Sequence, residues 1–436
     1  MKFEKICVLG MGYIGLPTAS TFATHGLKVI GVDVNQQVVQ TLKNGGLHLH
    51  EPGLRTLVGA AVGSGNLEIS DQPEPADGFI IAVPTPFYDD KRADMSYVVS
   101  AAEAITPHLK AGDLVVLEST SPPRTTLDLV APILERSGLK AGVSPEQGGF
   151  YLAYSPERVL PGQILRELIE NARVIGGVDP ASARAGRDLY AVFVRGEIVL
   201  TDATTAEMVK LMENTYRDVN IAIANQFSRL ADRFGIDVWE AIEIANRHPR
   251  VAILRPGPGV GGHCIGVDPW FLVEAAPDLT PLVLTARKVN DDQPQWVVEM
   301  IREALGVLQD RQVAVLGLAY KPDVDDLRES PAIQVAQRLV RAGARVIAYE
   351  PFKSQVQLPR LESATSLNEA LAEADLIVLM VAHTPLRELD PQEVAQMTPA
   401  RIVVDCVNGW PADRWREAGF QVLRLGVGRE MDKRNL

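Results

Sequence analysis

The stretch "GVGGHCIGVDPW" sets Cys264 directly after a glycine-rich turn, with Asp268 four residues further on. Together with the preceding "RPGP", the turn holds too much glycine and proline for helix or strand, so the thiol is presented on a loop. The other two cysteines, Cys7 in "KICVLG" and Cys406 in "IVVDCV", lie in apolar runs that read as buried strands. On a polar loop, a thiol with a cation nearby becomes the nucleophilic thiolate. Lys210 and Asn214 are four residues apart on a helical pattern and Arg217 is three further, which brings all three near one face. A thiolate adding to an aldehyde forms a thiohemiacetal, which gives up hydride to become a thioester. The oxygen that turns anionic needs fixed donors, and Lys210 and Asn214 are candidates. From the helix alone, a solvated charged face is the favoured reading, and it is Cys264 that tips the balance toward chemistry.

A site for the hydride acceptor is written at the start of the chain. In "KICVLGMGYIGLPTASTFATHGLKVIGVDV", Gly10, Gly12 and Gly15 fall between an expected strand and an expected helix, and a second strand ends at Asp33. Such glycines permit a tight turn and let backbone amides approach a pyrophosphate at the helix N-terminus. The acid 23 residues after Gly10 suits a ribose 2′-hydroxyl, which favours NAD over NADP.

The elements that position these residues form three blocks. Short apolar runs alternate with helical patterns over 1–202, including "GFIIAVPT", "DLVVLEST", "YLAYSPE" and "ARVIGG", all read as parallel strands of a doubly wound sheet. Residues 203–306 read as helical, with the second long helix interrupted at Pro294. Strands return over 307–436 in "QVAVLGL", "ARVIAYEP", "DLIVLMVAH" and "RIVVDCVNG", a second α/β domain. The expected fold class is therefore α/β: an N-terminal Rossmann-like doubly wound domain, a central helical domain and a C-terminal Rossmann-like α/β domain.

The length of 436 residues fits several domains, and a net charge of -12 argues against a surface built for nucleic acid or anionic lipid. No apolar run approaches a membrane span, a strand begins at once, and the odd cysteine count fits reduced thiols; a cytoplasmic enzyme is expected. No metal is expected.

The motifs "GMGYIG", "VPTP", "ESTSPPRTT", "SPERVLPG", "AEMVKLMENTYRDVNIAIAN" and "GVGGHCIGVDPWFL", in this order through all three blocks, resemble the nucleotide-sugar 6-dehydrogenases of the UDP-glucose/GDP-mannose dehydrogenase family. Within it, "SPERVLPG", "ENTYRDVNIAIAN" and "ANRHPRV" look most like the branch that acts on UDP-N-acetyl-D-mannosamine. Members acting on UDP-glucose usually carry a second glutamate where this chain has Pro161.

The resemblance implies a four-electron oxidation of a primary alcohol to a carboxylate, with two NAD consumed per sugar and Cys264 as nucleophile. Lys210 would act in proton transfer and, with Asn214, hold the oxyanion; Asp268 would orient Lys210, while Glu157 and Thr120 handle the hydrolytic water. It further implies NAD contacts at Tyr13, Ile14, Asp33, Thr85 and Thr120, with Arg328 reaching in from the C-terminal domain. Substrate contacts would be Arg158, Val159, Lys210, Asn214, Arg217, Gly261, Tyr320 and Lys321, plus His248 and Arg250 on a loop reaching a neighbouring subunit of a homodimer.

Two departures from the family pattern stand out. Val38 replaces a basic residue that touches the adenosine, and "VVDCVNGW" lacks the basic residue common after that strand. The competing readings are the same chemistry on UDP-N-acetylglucosamine or another UDP-hexose, a two-electron 3-hydroxy-acid dehydrogenase, and an inactive sugar-nucleotide sensor. Cys264 and the strands after Gln312 count against the 3-hydroxy-acid enzyme, which needs neither.

Overall fold

The computed structural model describes residues 1–49, 51–160, 162–262, 264–353, 356 and 361–428; Pro161 lies outside the described residues. It divides into two compact units, Met1–Glu213 with Trp270–Pro277 and Asn214–Pro269 with Asp278–Leu436.

The first unit is built on a nine-stranded sheet. Its strands are Lys5–Leu9 (β1), Lys28–Val32 (β2), Leu67–Ser70 (β3), Gly78–Ile81 (β4), Leu114–Leu117 (β5), Lys140–Ala141 (β6), Gly149–Tyr154 (β7), Arg173–Gly177 (β8) and Ile198–Asp202 (β9). They are ordered β3-β2-β1-β4-β5-β7-β8-β9, with β6 against β7. Ile6 and Val8 face one apolar layer with Phe22 and Ile80, while Cys7 and Leu9 face the other with Phe79 and Ile81. Burial on both faces is why these strands are continuous apolar runs rather than alternating ones.

Contrary to the all-parallel sheet expected from the sequence, β8 pairs with β7 antiparallel, at Ala153 with Gly177 and Tyr154 with Gly176. A parallel return needs a full crossover. Among the described residues the intervening segment carries only the short helix Ile164–Glu170, whereas helix Pro180–Tyr190 does make β9 parallel to β8.

The long helix Ala203–Phe234 runs for 32 residues, and a second long helix spans Pro281–Leu305. Contrary to the expected interruption, this second helix continues through Pro294, because Val297, Val298 and Ile301 just beyond it are buried in the C-terminal core. That packing outweighs the lost backbone hydrogen bond, about 3 kcal/mol for a proline inside a helix.

Strands Gln312–Leu316 (β10), Arg345–Tyr349 (β11), Glu362–Ser363 (β12), Leu376–Leu379 (β13), Ile402–Asp405 (β14) and Gln421–Arg424 (β15) form an all-parallel sheet in the order β12-β11-β10-β13-β14-β15. Chain order in this sheet repeats that of the first six places of the N-terminal one. In both, the reversal next to the first strand opens a crevice at the strand carboxyl ends, where α/β sheets bind ligands.

Candidate active site

The N-terminal crevice is shaped by glycine. Gly10 has φ +95°, and a Cβ there would stand 2.4 Å from the Ala82 carbonyl oxygen; at Gly15 a Cβ would meet the Gly10 carbonyl oxygen at 1.8 Å. Gly12, between them, is exposed, and a Cβ there would meet no described atom within 4 Å, which leaves its backbone open to a pyrophosphate. Helix Gly15–Thr24 begins at Ile14 with no side-chain cap and no acid in its first turn, leaving its N-terminal amides for an anion. Asp33, half-buried after β2, accepts from the Met11 N–H at 2.9 Å and the Asn35 N–H at 2.8 Å. Its carboxylate is thereby held at the mouth of the turn. These features fit a dinucleotide. Tyr13 and Ile14 are half-buried on the same turn, and Thr85 and Thr120 half-buried just after β4 and β5.

His48 was not singled out from the sequence; its Nε2 lies 3.0 Å from the Met11 carbonyl oxygen, and burial lowers its pKa. Val38 packs against the N-terminal core, so this position contributes an apolar contact to the fold.

In the same unit, the segment after β7 carries Glu157, Arg158 and Val159. Glu157 Oε1 accepts from the Arg158 N–H at 2.6 Å, and its other carboxylate oxygen pairs with the buried Arg173. Lys210, itself buried on the long helix, donates from Nζ to the Glu157 carbonyl oxygen at 2.7 Å. Arg158 forms a two-pronged pair with Glu213 of the long helix, at 3.1 and 2.5 Å. Val159 is half-buried against the N-terminal core. Further along, the Gly162 and Ile164 N–H groups donate to the buried carboxylate of Glu51, at 2.8 and 2.9 Å. Glu51, Arg173 and Glu213 were missed because their partners are remote in sequence.

The second unit holds the cysteine loop. Cys264 is exposed, and Cys7 and Cys406 are buried. Burial pushes the Cys7 thiol up to about 12 and the Cys406 thiol well above its ordinary value, so both stay protonated and inert. The Cys264 carbonyl oxygen accepts from the Val267 and Asp268 N–H groups at 3.1 and 2.8 Å, closing the turn that leads into helix Asp268–Ala275. Gly261 and Gly262 explain the glycine richness. A Cβ on Gly261 would come within 2.6 Å of the Glu329 carbonyl oxygen, and one on Gly262 within 2.9 Å of the Tyr320 ring. The loop is thus pressed against the segment that carries Tyr320, Lys321 and Arg328, and the Gly262 N–H donates to the Arg328 carbonyl oxygen at 3.2 Å.

Asn214, one turn beyond Lys210 on the long helix, donates from Nδ2 to Asp268 Oδ2 at 2.5 Å; both are buried. Two more asparagines of this helix lash down the approach to the cysteine loop: Asn220 Oδ1 accepts from the Leu254 N–H and Asn225 Oδ1 from the Gly257 N–H, each at 2.9 Å. These partners lie 34 and 32 residues along the chain, so the sequence offered no signal for them beyond the asparagine type itself.

Arg217, His248, Arg250 and Arg328 are exposed, and Tyr320 and Lys321 half-buried. Lys321 Nζ lies 5.9 Å from the Tyr320 ring centroid, and Arg328 is forked onto Asp326 at 2.8 and 2.7 Å. The loop lacking a basic residue in sequence is reached by one in space: Asp405 accepts from the Val407 and Trp410 N–H groups, while Arg424 Nη1 donates to Asn408 Oδ1 at 3.0 Å.

Comparison with known proteins identifies the family. Residues 4–194 match the NAD binding domain of the UDP-glucose/GDP-mannose dehydrogenase family, 204–292 its central domain and 314–412 its UDP binding domain. An NDP-N-acetyl-D-galactosaminuronic acid dehydrogenase of Ralstonia solanacearum is 49% identical over 95% of this chain and 98% of its own length. A UDP-N-acetyl-D-mannosamine dehydrogenase of Methanocaldococcus jannaschii is 46% identical over 98% of this chain and 97% of its own. The solved UDP-D-ManNAc dehydrogenase of Pyrococcus horikoshii superposes with a TM-score of 0.90 at 39% identity, covering 97% of this chain and 99% of that one. With an NAD-binding turn, an exposed cysteine on a glycine loop and matches across all three domains, the chain belongs to the UDP-glucose/GDP-mannose dehydrogenase family, as an NAD-dependent nucleotide-sugar oxidoreductase.

Proposed function

We propose that this enzyme oxidises C6 of UDP-N-acetyl-D-mannosamine to the carboxylate, giving UDP-N-acetyl-D-mannosaminuronate. The observation that carries the chemistry is the single exposed cysteine on a loop sealed by Gly261 and Gly262, beside the Asn214–Asp268 pair. Relatives with the mannosamine name at 43–47% identity support the substrate. The 49% identity of the galactosaminuronic acid dehydrogenase favours a galacto-configured sugar as the second reading.

In this account residues 1–202 bind NAD, 203–306 carry Lys210 and Cys264, and 307–436 bind the UDP moiety. NAD supplies a hydride acceptor for each of the two oxidations. Lys210 takes the proton of the C6 hydroxyl, and Lys210 with Asn214 holds the oxygen as it becomes anionic. Cys264 thiolate adds to the aldehyde carbon, and loss of hydride from that carbon leaves a thioester. Asp268 fixes the Asn214 amide and assists in orienting Lys210. Glu157, with Thr120, takes the proton of the attacking water; the C–S bond breaks and sulfur leaves as thiolate. Lys321 serves as a point charge on the diphosphate, and Tyr320, Arg158, Val159 and Gly261 are assigned as further substrate contacts. Arg328 meets the cofactor.

The active form is a homodimer built on the long helix, where Tyr216, Ile223, Phe227, Leu230 and Phe234 are exposed at helical spacing. Such an apolar stripe on a monomer marks an interface. His248 and Arg250, exposed beyond the next helix, would then reach the neighbouring subunit's substrate together with Arg217. Among the described residues no helix is long and apolar enough to cross a membrane. A cytoplasmic place accords with the reduced thiol on which the chemistry depends.

Steady-state kcat/KM for UDP-N-acetylmannosamine, UDP-N-acetylgalactosamine, UDP-N-acetylglucosamine and UDP-glucose tests the substrate. The mannosamine compound should lead; preference for the galactosamine compound would replace the first reading with the second.

A further inference from the structure

Glu157 belongs to a buried charge cluster whose other members, Arg173 and Glu118, the mechanism leaves unused. Arg173, at the start of β8, has a side chain 4% exposed and bridges two carboxylates. Its Nη2 pairs with Glu157, and its Nη1 donates to Glu118 Oε1 at 2.9 Å and to Ser155 Oγ at 3.1 Å. The guanidinium lies 4.1 Å from the Tyr190 ring centroid, and the Tyr190 hydroxyl donates to the same Glu118 oxygen at 3.1 Å. Glu118 Oε2 is buried without a hydrogen-bond partner.

We propose that Glu118, acting through Arg173, sets the charge on Glu157 and so governs hydrolysis of the thioester; the inference rests on Glu157 being the base for the attacking water. Glu118 and Arg173 are positioning residues in this scheme.

The groups that face Glu118 are Arg173 from β8, Glu157 from the segment after β7 and Tyr190 from helix Pro180–Tyr190, with Ser155 completing the shell. One cation cannot neutralise two ionised carboxylates, so full ionisation leaves a buried negative charge, which low-dielectric surroundings disfavour. The proton that relieves this belongs on Glu118, whose second oxygen has no donor. Burial accordingly pushes the Glu118 carboxyl up to about 7, and Arg173 stays charged. While Glu118 is neutral, the whole guanidinium charge falls on Glu157 and weakens it as a base. Once Glu118 ionises, Arg173 is shared and Glu157 accepts the water proton more readily, as the C–O bond forms and the C–S bond breaks.

The test is the fraction of enzyme carrying thioester during turnover, read by intact mass after acid quench, for the full-length enzyme with NAD and UDP-sugar across a pH series through neutrality. In the native enzyme, thioester occupancy should fall as Glu118 ionises. Glu118→Gln should abolish that inflection and keep occupancy high throughout, lowering kcat and KM for the sugar together and leaving kcat/KM unchanged. Tyr190→Phe, which withdraws the hydrogen bond that helps Glu118 ionise, should move the inflection to higher pH, and it carries the test if Glu118→Gln fails to fold. Glu157→Gln should accumulate thioester at every pH. Accumulation in Glu157→Gln, with an unmoved inflection in Tyr190→Phe or Glu118→Gln, overturns the proposal alone. Normal turnover by Glu157→Gln overturns the assignment of the base on which it rests.

Discussion

Asp33 and Glu350 stand at the same place in two copies of one topology, each directly after the second strand of its sheet, yet only Asp33 keeps an exposed edge. Gly10 donates to the Val32 carbonyl oxygen at 2.8 Å and Gly317 to the Tyr349 carbonyl oxygen at 2.9 Å, so the turns correspond. Glu350 is buried and accepts from the Leu318, Ala319 and Phe352 N–H groups and lies 3.1 Å from His383 Nε2. Buried at 2% exposure and engaged by these four donors, Glu350 presents no open edge to a ribose. One NAD per chain is therefore expected by calorimetric titration. Asp33→Ala should raise the KM for NAD about tenfold or more, the scale of a lost charge-assisted hydrogen bond, with a smaller effect on the sugar.

The two buried cysteines give an internal control for the third. Iodoacetamide should alkylate Cys264 alone in the native protein, as read by peptide mapping. Cys264→Ala should abolish uronate formation, while Cys7→Ala should keep kcat within about twofold and cost about 1 kcal/mol of stability for the small cavity. Labelling at Cys7 or Cys406 in folded enzyme would contradict the assignment.

The Asn214–Asp268 hydrogen bond yields a charge test. Asn214→Asp would oppose two buried carboxylates at 2.5 Å, so one must hold a proton and the oxyanion loses a donor. The expected loss in kcat is about 10²–10³, the usual scale for one oxyanion donor, with KM little changed. A variant that alters KM alone would place Asn214 in ground-state binding instead.

How much of this was legible in the sequence depends on distance along the chain. The NAD-binding turn is local: Gly10, Gly12, Gly15 and Asp33 lie within one strand–helix–strand unit, and their spacing carries their geometry. Cys264 was equally readable, because its flanking glycines announce a loop. Arg173 was not. Its partners Glu118 and Glu157 sit on other segments, and nothing in "ARVIGG" distinguishes a buried arginine from a strand-end one. The antiparallel pairing of β8 was hidden for the same reason, since an apolar run looks alike in either direction. Arg424, which reaches Asn408 from a neighbouring strand, shows a basic group missing from a motif but present in space.

His383 ties the loop of Tyr320 and Lys321 to the sheet: its Nδ1 accepts from the Asp323 N–H at 2.9 Å while its Nε2 faces Glu350. His383→Ala should take one of four donors from buried Glu350 and leave the Asp323 amide without its acceptor, costing about 1–3 kcal/mol in denaturant unfolding, and should raise the KM for the UDP-sugar more than that for NAD. Equal effects on the two would detach this histidine from the sugar-nucleotide loop.

Stability should respond to pH through Asp113 as well as Glu118. Burial raises the Asp113 carboxyl to about 6, so its folded value lies above its unfolded one. Such an acid is more costly to bury once ionised, so its penalty is absent below the unfolded pKa and is fully present above about pH 6. Asp113→Asn should therefore gain more stability, relative to the native enzyme, at pH values above this window than below it, as measured by urea unfolding at each pH. A gain that is the same on both sides would mean that Asp113 titrates normally.

The most direct measurement is NADH released per molecule of limiting UDP-N-acetylmannosamine, followed by absorbance to completion. Native enzyme should release two equivalents, and Cys264→Ala should form none of the uronate. A single equivalent, with the aldehyde as end product, would contradict the thioester route and leave the exposed cysteine without its role.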